Sequence, residues 1–249
     1  MNEVMNESAD TAEAEAEAAA AAPGDAGTAA GPYPPVDDHV TVTPSILYFG
    51  TPVVLLSTLN ADGSANLAPM SSAWALGRTV VLGLGAEGQT AANLAARPEV
   101  VVNLPAADQW RAVERLAPLT GRDPVPAAKR AAFRTERDKF GAAGLTAQPS
   151  DIVRPPRVAQ CPLQLEARVR GIRADLTGDF FIAEAEVVRV HARRDLVVPG
   201  TQHLDPARWN PLIYNFRHYF GLGAELGHTF RSQTAPPGGE APLARRAHA

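Results

Sequence analysis

The sequence predicts a mainly β protein, built as one closed antiparallel barrel with a few covering helices. Three observations carry that expectation. Two long stretches alternate apolar and polar residues with period two: LQLEARVR at 163–170 and FFIAEAEVVRVH at 180–191. Three shorter runs, 53–59, 79–84 and 100–104, are apolar on both faces, as strands between a barrel interior and a covering layer must be. Helical patterns are few and short, and no regular strand–helix alternation joins the strands.

Taken in order, the chain opens on residues 1–38, dominated by Ala, Glu, Gly and Pro, with nine acidic residues and no Lys or Arg. Such a segment buries too little to offset the entropy of ordering and is expected to be a disordered tail. Its alanine run near 18–22 is too short and weakly apolar to span a membrane. Its acidic start lacks the basic region of a signal peptide. The apolar run 53–59 leads into Asn60, Ala61, Asp62 and Gly63, a hairpin turn, and 67–76 makes the return strand. The strand 79–84 is followed by a glycine-rich loop. A short helix runs from Thr90 to about 97, where Pro98 interrupts it, and the strand 100–104 follows. Residues 106–117 read as an amphipathic helix with Trp110, Val113 and Leu116 on one stripe. Residues 117–160 are rich in Pro, Gly and charge. In 163–170, Leu163, Leu165, Ala167 and Val169 point inward, and Gln164, Glu166, Arg168 and Arg170 outward. The phase of 180–191 changes at Val187 and Val188, which predicts a β-bulge. The segment PLIYNFRHYFGLG brings four aromatics beyond the last clear strand, and a second, basic tail starts near Ser232. The expected organisation is thus a tail over 1–38, one domain over 39–231 and a tail over 232–249.

Without the first 38 residues the chain has 27 − 9 = 18 acidic against 23 basic residues, a mildly cationic body. That balance suits a phosphate-bearing cofactor and is equally ordinary for a soluble domain. No Lys/Arg run or aromatic RNA-binding motif points to nucleic acid. The single Cys161 excludes an intramolecular disulfide and a multi-Cys metal site, and a reducing cytoplasm is its simplest setting. Standing before Pro162 at a strand start, it reads as a buried structural thiol. Neither a Ser-His-Asp order nor HExxH occurs, so neither a catalytic side chain nor a metal site is assigned. Trp74 reads as core and His191 as solvated. His218 and Tyr219 read as packing residues more than ligand contacts.

The chemistry concentrates between 62 and 105. Asn66, Pro69, Ser71 and Ser72 lie on the return strand, and Thr90 and Asn93 form a Thr-x-x-Asn helix start. Thr90 as N-cap would leave first-turn N–H groups free, with the positive end of the helix dipole facing an anion. Ser71 and Ser72, adjacent on a strand, should face opposite sides, so one reaches a ligand by side chain and the other by its N–H. The plain alternative is an ordinary cap and ordinary strand hydroxyls. Gly83, Gly85 and Gly88 also spell GxGxxG with Asp108 about twenty residues on, the mark of a Rossmann dehydrogenase. The short helix and the lack of strand–helix alternation count against it.

At this point a resemblance enters. NLAPMSSAW at 66–74, LGLG at 82–85 and TAANL at 90–94, with CPLQLEARV and PLIYNFRHYFGLG later, resemble the flavin reductase-like proteins of the FMN-binding split-barrel fold over about 44–223. The resemblance implies a closed antiparallel split barrel holding FMN against the 66–74 strand and the 90–93 helix start. The implied contacts are Asn66, Ala68, Pro69, Met70, Ser71, Ser72, Thr90 and Asn93. It further implies NAD(P)H as electron donor, a homodimer with flavin near the subunit interface, and a monooxygenase as a partner that such reductases can serve. The alternative is an FMN-binding electron carrier or flavin store without efficient NAD(P)H turnover. Relatives often carry Lys, Arg or Ser just before the threonine, whereas this chain has Glu87, Gly88 and Gln89. Arg78 and Arg97 are the candidates to replace that charge.

Overall fold

The structure, a computed structural model, describes residues 39–227 and Thr229. Both expected tails lie outside these residues. The chain divides into two units, Met1–Pro44 and Ser45–Ala249. In the first, the described residues 39–44 form neither helix nor strand.

In the second unit the strands Phe49–Pro52 (β1), Val54–Leu59 (β2), Ala65–Met70 (β3), Ala73–Leu76 (β4) and Thr79–Gly85 (β5) precede helix Gln89–Ala96 (α1) and strand Glu99–Leu104 (β6). Helix Trp110–Leu116 (α2) opens an excursion containing the two-residue strands Leu119–Thr120 (β7) and Arg134–Thr135 (β8), helix Lys139–Ala143 (α3), and the pair Ala147–Gln148 (β9) and Arg157–Val158 (β10). Two long strands, Leu163–Ala174 (β11) and Phe180–Ala192 (β12), and a hairpin, Ile213–Asn215 (β13) with His218–Phe220 (β14), complete it. Among the described residues no helix is long and apolar enough to cross a membrane.

The main sheet has the order β3-β2-β6-β11-β12-β5-β4, with antiparallel neighbours throughout. The GxGxxG glycines therefore stand at the end of an antiparallel strand, and β5 and β6 on either side of α1 are not neighbours, which removes the Rossmann reading. The two ends of the ladder, β3 and β4, follow one another in sequence. No ladder pairs them among the described residues. Pro69, which has no N–H to give, lies on β3 and so on an edge, where the missing donor costs nothing.

One face of the sheet encloses a core of Val54, Leu56, Val80, Leu82, Leu84, Val100, Val102, Ala183 and Ala185, closed by Ala91 and Leu94 of α1. The opposite face of β2 and β3 carries Leu55 and Leu67, with Val53 just before β2, against Val113 and Leu116 of α2, Phe140 and Ala143 of α3, Cys161 and Leu212. The β2 and β6 runs are apolar on both faces because both faces are covered. On β5 only Val80, Leu82 and Leu84 are buried.

Four expectations need correction. The return strand is not continuous: it breaks at Ser71 and Ser72, where the chain crosses from β3 to β4. Gly83 allows the crossing, since its N–H donates to the Ser72 carbonyl (2.8 Å) and a Cβ on it would lie 2.8 Å from that of Ser72. Gln164 and Glu166 alternate as outward residues yet are buried, because residues 146–160 fold over them. His191 is not solvated; its Nε2 lies 2.6 Å from Glu166 Oε1. Trp74 is not core, as edge strand β4 leaves it 57% exposed. The bulge falls where the phase change put it: Glu166 pairs with Arg189 and Ala167 with Val187, leaving Val188 as the extra residue.

Candidate functional site

Between β3, the start of α1, α2, the excursion and the β13–β14 hairpin lies a cavity of about 690 Å³. Of the eight sequence-derived site residues, Ala68, Pro69, Met70, Ser71 and Thr90 line it. The other three stand behind that wall. Asn66 is buried, with Nδ2 donating to Thr58 Oγ1 (3.3 Å) and Thr90 Oγ1 (3.2 Å). Asn93 is fully buried, donating to Thr58 Oγ1 and Asn60 Oδ1 (both 3.0 Å) and accepting from Gln89 Nε2 (2.9 Å). Ser72 Oγ shares a hydrogen bond of 3.0 Å with the hydroxyl of Tyr48, itself on the cavity wall. The asparagines thus pin α1 to the β2–β3 hairpin and orient Thr90.

Thr90 is not the cap. Gly88 is, with extended backbone (φ −70°, ψ 151°) and no side chain closing the helix end. Gly88 N–H turns back to the Gly85 carbonyl (2.9 Å), and its own carbonyl accepts from Ala92 (3.3 Å). The backbone N–H groups of Gln89, Thr90 and Ala91 have no acceptor among the described residues, and all three residues line the cavity. An uncapped helix start in a cavity wall is an anion-binding arrangement.

Several lining residues gave no signal in sequence. The chain has two lysines, Lys129 and Lys139, and both line this cavity. Lys129 Nζ lies 3.8 Å from where a Cβ on Gly85 would be and 5.8 Å from the Phe133 ring centre. Lys139 is only 3% exposed. Burial pulls its ammonium down to about 8; Glu136 opposes this and Lys129 adds to it. Arg217 also lines the cavity, from a hairpin turn in which Phe216 (φ 42°) and Arg217 (φ 68°) both take left-handed backbone. Non-glycine residues adopt that conformation at a cost the surrounding structure must offset. The far wall is aromatic: Tyr48, Tyr214 and Tyr219 form a chain with ring centres 5.6 and 5.5 Å apart. Tyr219 Oη donates to Glu114 Oε2 (2.9 Å), and burial, then this carboxylate, pushes its phenol up. His218 is exposed and outside the lining. Only their clustering in PLIYNFRHYFGLG marked Tyr214 and Tyr219.

The arginines considered as replacement charges are engaged elsewhere: Arg78 Nη2 donates to the Val187 carbonyl and Arg97 Nε to that of Leu59, both at 2.8 Å. Neither lines the cavity. Cys161 is buried, and burial pushes its thiol up, so it is inert packing. Asp151, Glu166 and His191 present ligand atoms within 4.8 Å of one another. The Glu166 oxygens, however, already accept from the N–H groups of Asp151, Ile152 and Val153 and meet His191, so this cluster is a staple for the excursion.

This geometry agrees with what similarity to known proteins shows. Residues 46–223 match the model of the flavin reductase like domain. An uncharacterized protein of Bacillus subtilis (strain 168), YdfE, is 45% identical over 195 residues, covering 78% of this chain and 94% of that protein. The fold is similar to flavoredoxin of Desulfovibrio vulgaris (Miyazaki F), with a TM-score of 0.65 and 18% identity over 79% of this chain and all of that one. It is also similar to the NADH:FAD oxidoreductase of Streptomyces globisporus C-1027, with a TM-score of 0.53 and 16% identity over 71% and 88%. With a family match across most of its length and the corresponding sheet around one cavity, the chain belongs to the flavin reductase-like family.

Proposed function

We propose that this protein is an NAD(P)H-dependent flavin reductase that holds FMN in the 690 Å³ cavity. The observation carrying the reading is the mixed lining of that cavity, donors and cations together with apolar and aromatic side chains. Its lining combines three N–H groups of α1 without an acceptor, the Ser71 hydroxyl and two lysines with Pro69, Met70 and the tyrosine chain. A flavin mononucleotide has the same mixture, an anionic end and a flat, largely apolar ring, and the volume lies in the range of cofactor sites. Asn66, Ala68, Pro69, Met70, Ser71, Ser72, Thr90 and Asn93 are the proposed site, with Asn66, Ser72 and Asn93 acting through Thr90 and Tyr48.

Bound flavin supplies the hydride chemistry, so no side-chain acid or base is required. The protein's residues position the ring against β3, hold the phosphate at α1, and exclude water with Tyr214 and Tyr219. A partner monooxygenase is one class of recipient for the electrons. The reading extends to a split barrel in which β3 and β4 form the closing seam at Ser71 and Ser72, and to a cytoplasmic setting, which the lone buried thiol suits.

A homodimer belongs to the same reading. Leu47, Phe49, Trp74, Leu76, Phe216 and Phe220 are each 45% exposed or more, an apolar surface uncommon on a monomer. Two-fold pairing is the commonest cover. The second reading, an FMN electron carrier, is favoured by the likeness to a flavoredoxin. Mixing the protein with FMN and NADH or NADPH and following nicotinamide absorbance separates the two. The reductase consumes nicotinamide only when protein and flavin are both present; a carrier binds FMN and leaves nicotinamide unchanged.

A further inference from the structure

The β13–β14 hairpin turns through two residues, Phe216 and Arg217, that both take positive φ. A two-residue loop of that kind, type I′, favours Asn-Gly or Gly-Gly, because glycine adopts positive φ without a clash at Cβ. Here a phenylalanine and an arginine hold those places, so the turn is strained where glycine would relax it. Strain of this sort persists where a side chain serves a purpose other than the fold. The backbone of the turn is fixed, since Phe216 N–H donates to the Tyr48 carbonyl (2.7 Å) just before β1. The Arg217 side chain is not: among the described residues it makes no hydrogen bond, ion pair or ring contact. It is exposed and yet lines the cavity, so it stands at the cavity's mouth. Glu114, the only carboxylate of the lining, accepts from Tyr219 and forms no ion pair with it.

This guanidinium belongs to a different wall from α1. The hairpin hangs from β1, where Asn215 pairs with Phe49 and Ile213 with Pro52, and from α2, through Tyr219 Oη and Glu114 Oε2. Among the described residues no hydrogen bond joins it to α1. A second substrate has to enter past this turn. A nicotinamide dinucleotide must bring its ring into the cavity, while its pyrophosphate, one ribose away, stays toward the mouth. The 2′-phosphate that distinguishes NADPH lies a further ribose outward. Guanidinium is planar, always charged and able to donate two parallel N–H bonds to phosphate oxygens, which suits it to the pyrophosphate.

We propose that Arg217, held at the mouth by the strained turn, receives the pyrophosphate of the nicotinamide donor, so that NADH and NADPH are captured alike. The turn keeps an arginine in a glycine position for that contact. This rests on the reductase reading above.

Calorimetric titration of the full chain, loaded with FMN, with the unreactive NAD+ and NADP+ tests the assignment in the wild type, Arg217→Gly and Arg217→Gln. Both substitutions are expected to weaken both nucleotides roughly tenfold, with FMN affinity within about twofold of the wild type. The wild-type affinity for NAD+ is expected to fall more steeply with added salt than that of either variant. Arg217→Gly is also expected to raise the melting temperature, because glycine relieves the left-handed backbone. Unchanged nucleotide affinity in both variants, a loss confined to NADP+, an equal loss of FMN affinity, or a lowered melting temperature for Arg217→Gly each overturn the role of Arg217 and leave the reductase reading standing. A wild type that takes FMN but neither nucleotide overturns the reductase reading and this inference with it.

Discussion

At the scale of single residues, two buried ionisable groups divide the labour. Glu166 is structural. Burial alone would push its carboxyl up, but the N–H of Asp151, the His191 ring and the N–H groups of Val153 and Ile152 outweigh it and hold it at about 2, against an ordinary 4.5. A depressed carboxylate stabilises the fold above its unfolded pKa. That contribution, on the order of 3 kcal/mol, should be complete above about pH 4.5 and lost as pH falls toward 2. Urea unfolding across pH 2–7 should show a steep acid loss in the wild type that is much shallower in Glu166→Gln, which should also be less stable at pH 7. Lys139 has the opposite sign. Its ammonium is lowered to about 8, so the free protein loses this charge as pH rises through that value. FMN affinity should be highest below about pH 8 and fall above it, while Lys139→Met binds with a flatter profile; calorimetric titration at several pH values measures this. Ser71 and Thr90 were legible because hydroxyls beside a strand and a helix start are a local pattern. Lys129 and Lys139 were not, since only the folding of a Pro- and Gly-rich excursion brings them to the cavity.

At the scale of elements, the seam between β3 and β4 decides whether the cavity wall forms. Gly83 leaves no room for a side chain, with Ser72 Cβ 2.8 Å from the place a Cβ would take. Gly83→Val should destabilise the fold by about 1–3 kcal/mol, the usual scale for overpacking, and weaken FMN binding as Ser71 shifts. Denaturant midpoints and FMN titration check the two effects. A Gly83→Val variant at full stability would mean that the crossing is not tight. Continuous apolar runs located β2, β5 and β6, period two located β11 and β12, and the phase change located the bulge at Val188. The same periodicity misread Gln164 and Glu166, because alternation marks two faces without saying what covers the outer one. The continuous-looking run 67–76 hid its break because the cause, a close approach to Gly83, lies eleven residues beyond Ser72.

At the scale of the whole molecule, an exposed apolar surface and an acidic first segment make separate demands. Light scattering at micromolar concentration should report twice the chain mass, and Trp74→Glu should shift the protein toward monomer by placing a charge on the edge strand of that surface. Residues 1–38 lack the composition to join a core, so a chain starting near Asp38 should keep its thermal midpoint and flavin affinity. The antiparallel class and the family were legible because strand alternation and the 66–74, 82–85 and 90–94 motifs occur in order. Closure of the cavity was not, because it depends on segments far apart in sequence. The central claim is that this cavity holds FMN between β3 and the uncapped start of α1. It is tested most directly by FMN titration of the wild type against a Ser71→Ala/Thr90→Ala variant. The account predicts saturable one-to-one binding that weakens in the variant by roughly 1–3 kcal/mol, the scale of lost donors and a disturbed helix start. Unchanged affinity in a folded variant, or no FMN binding by the wild type, would contradict it.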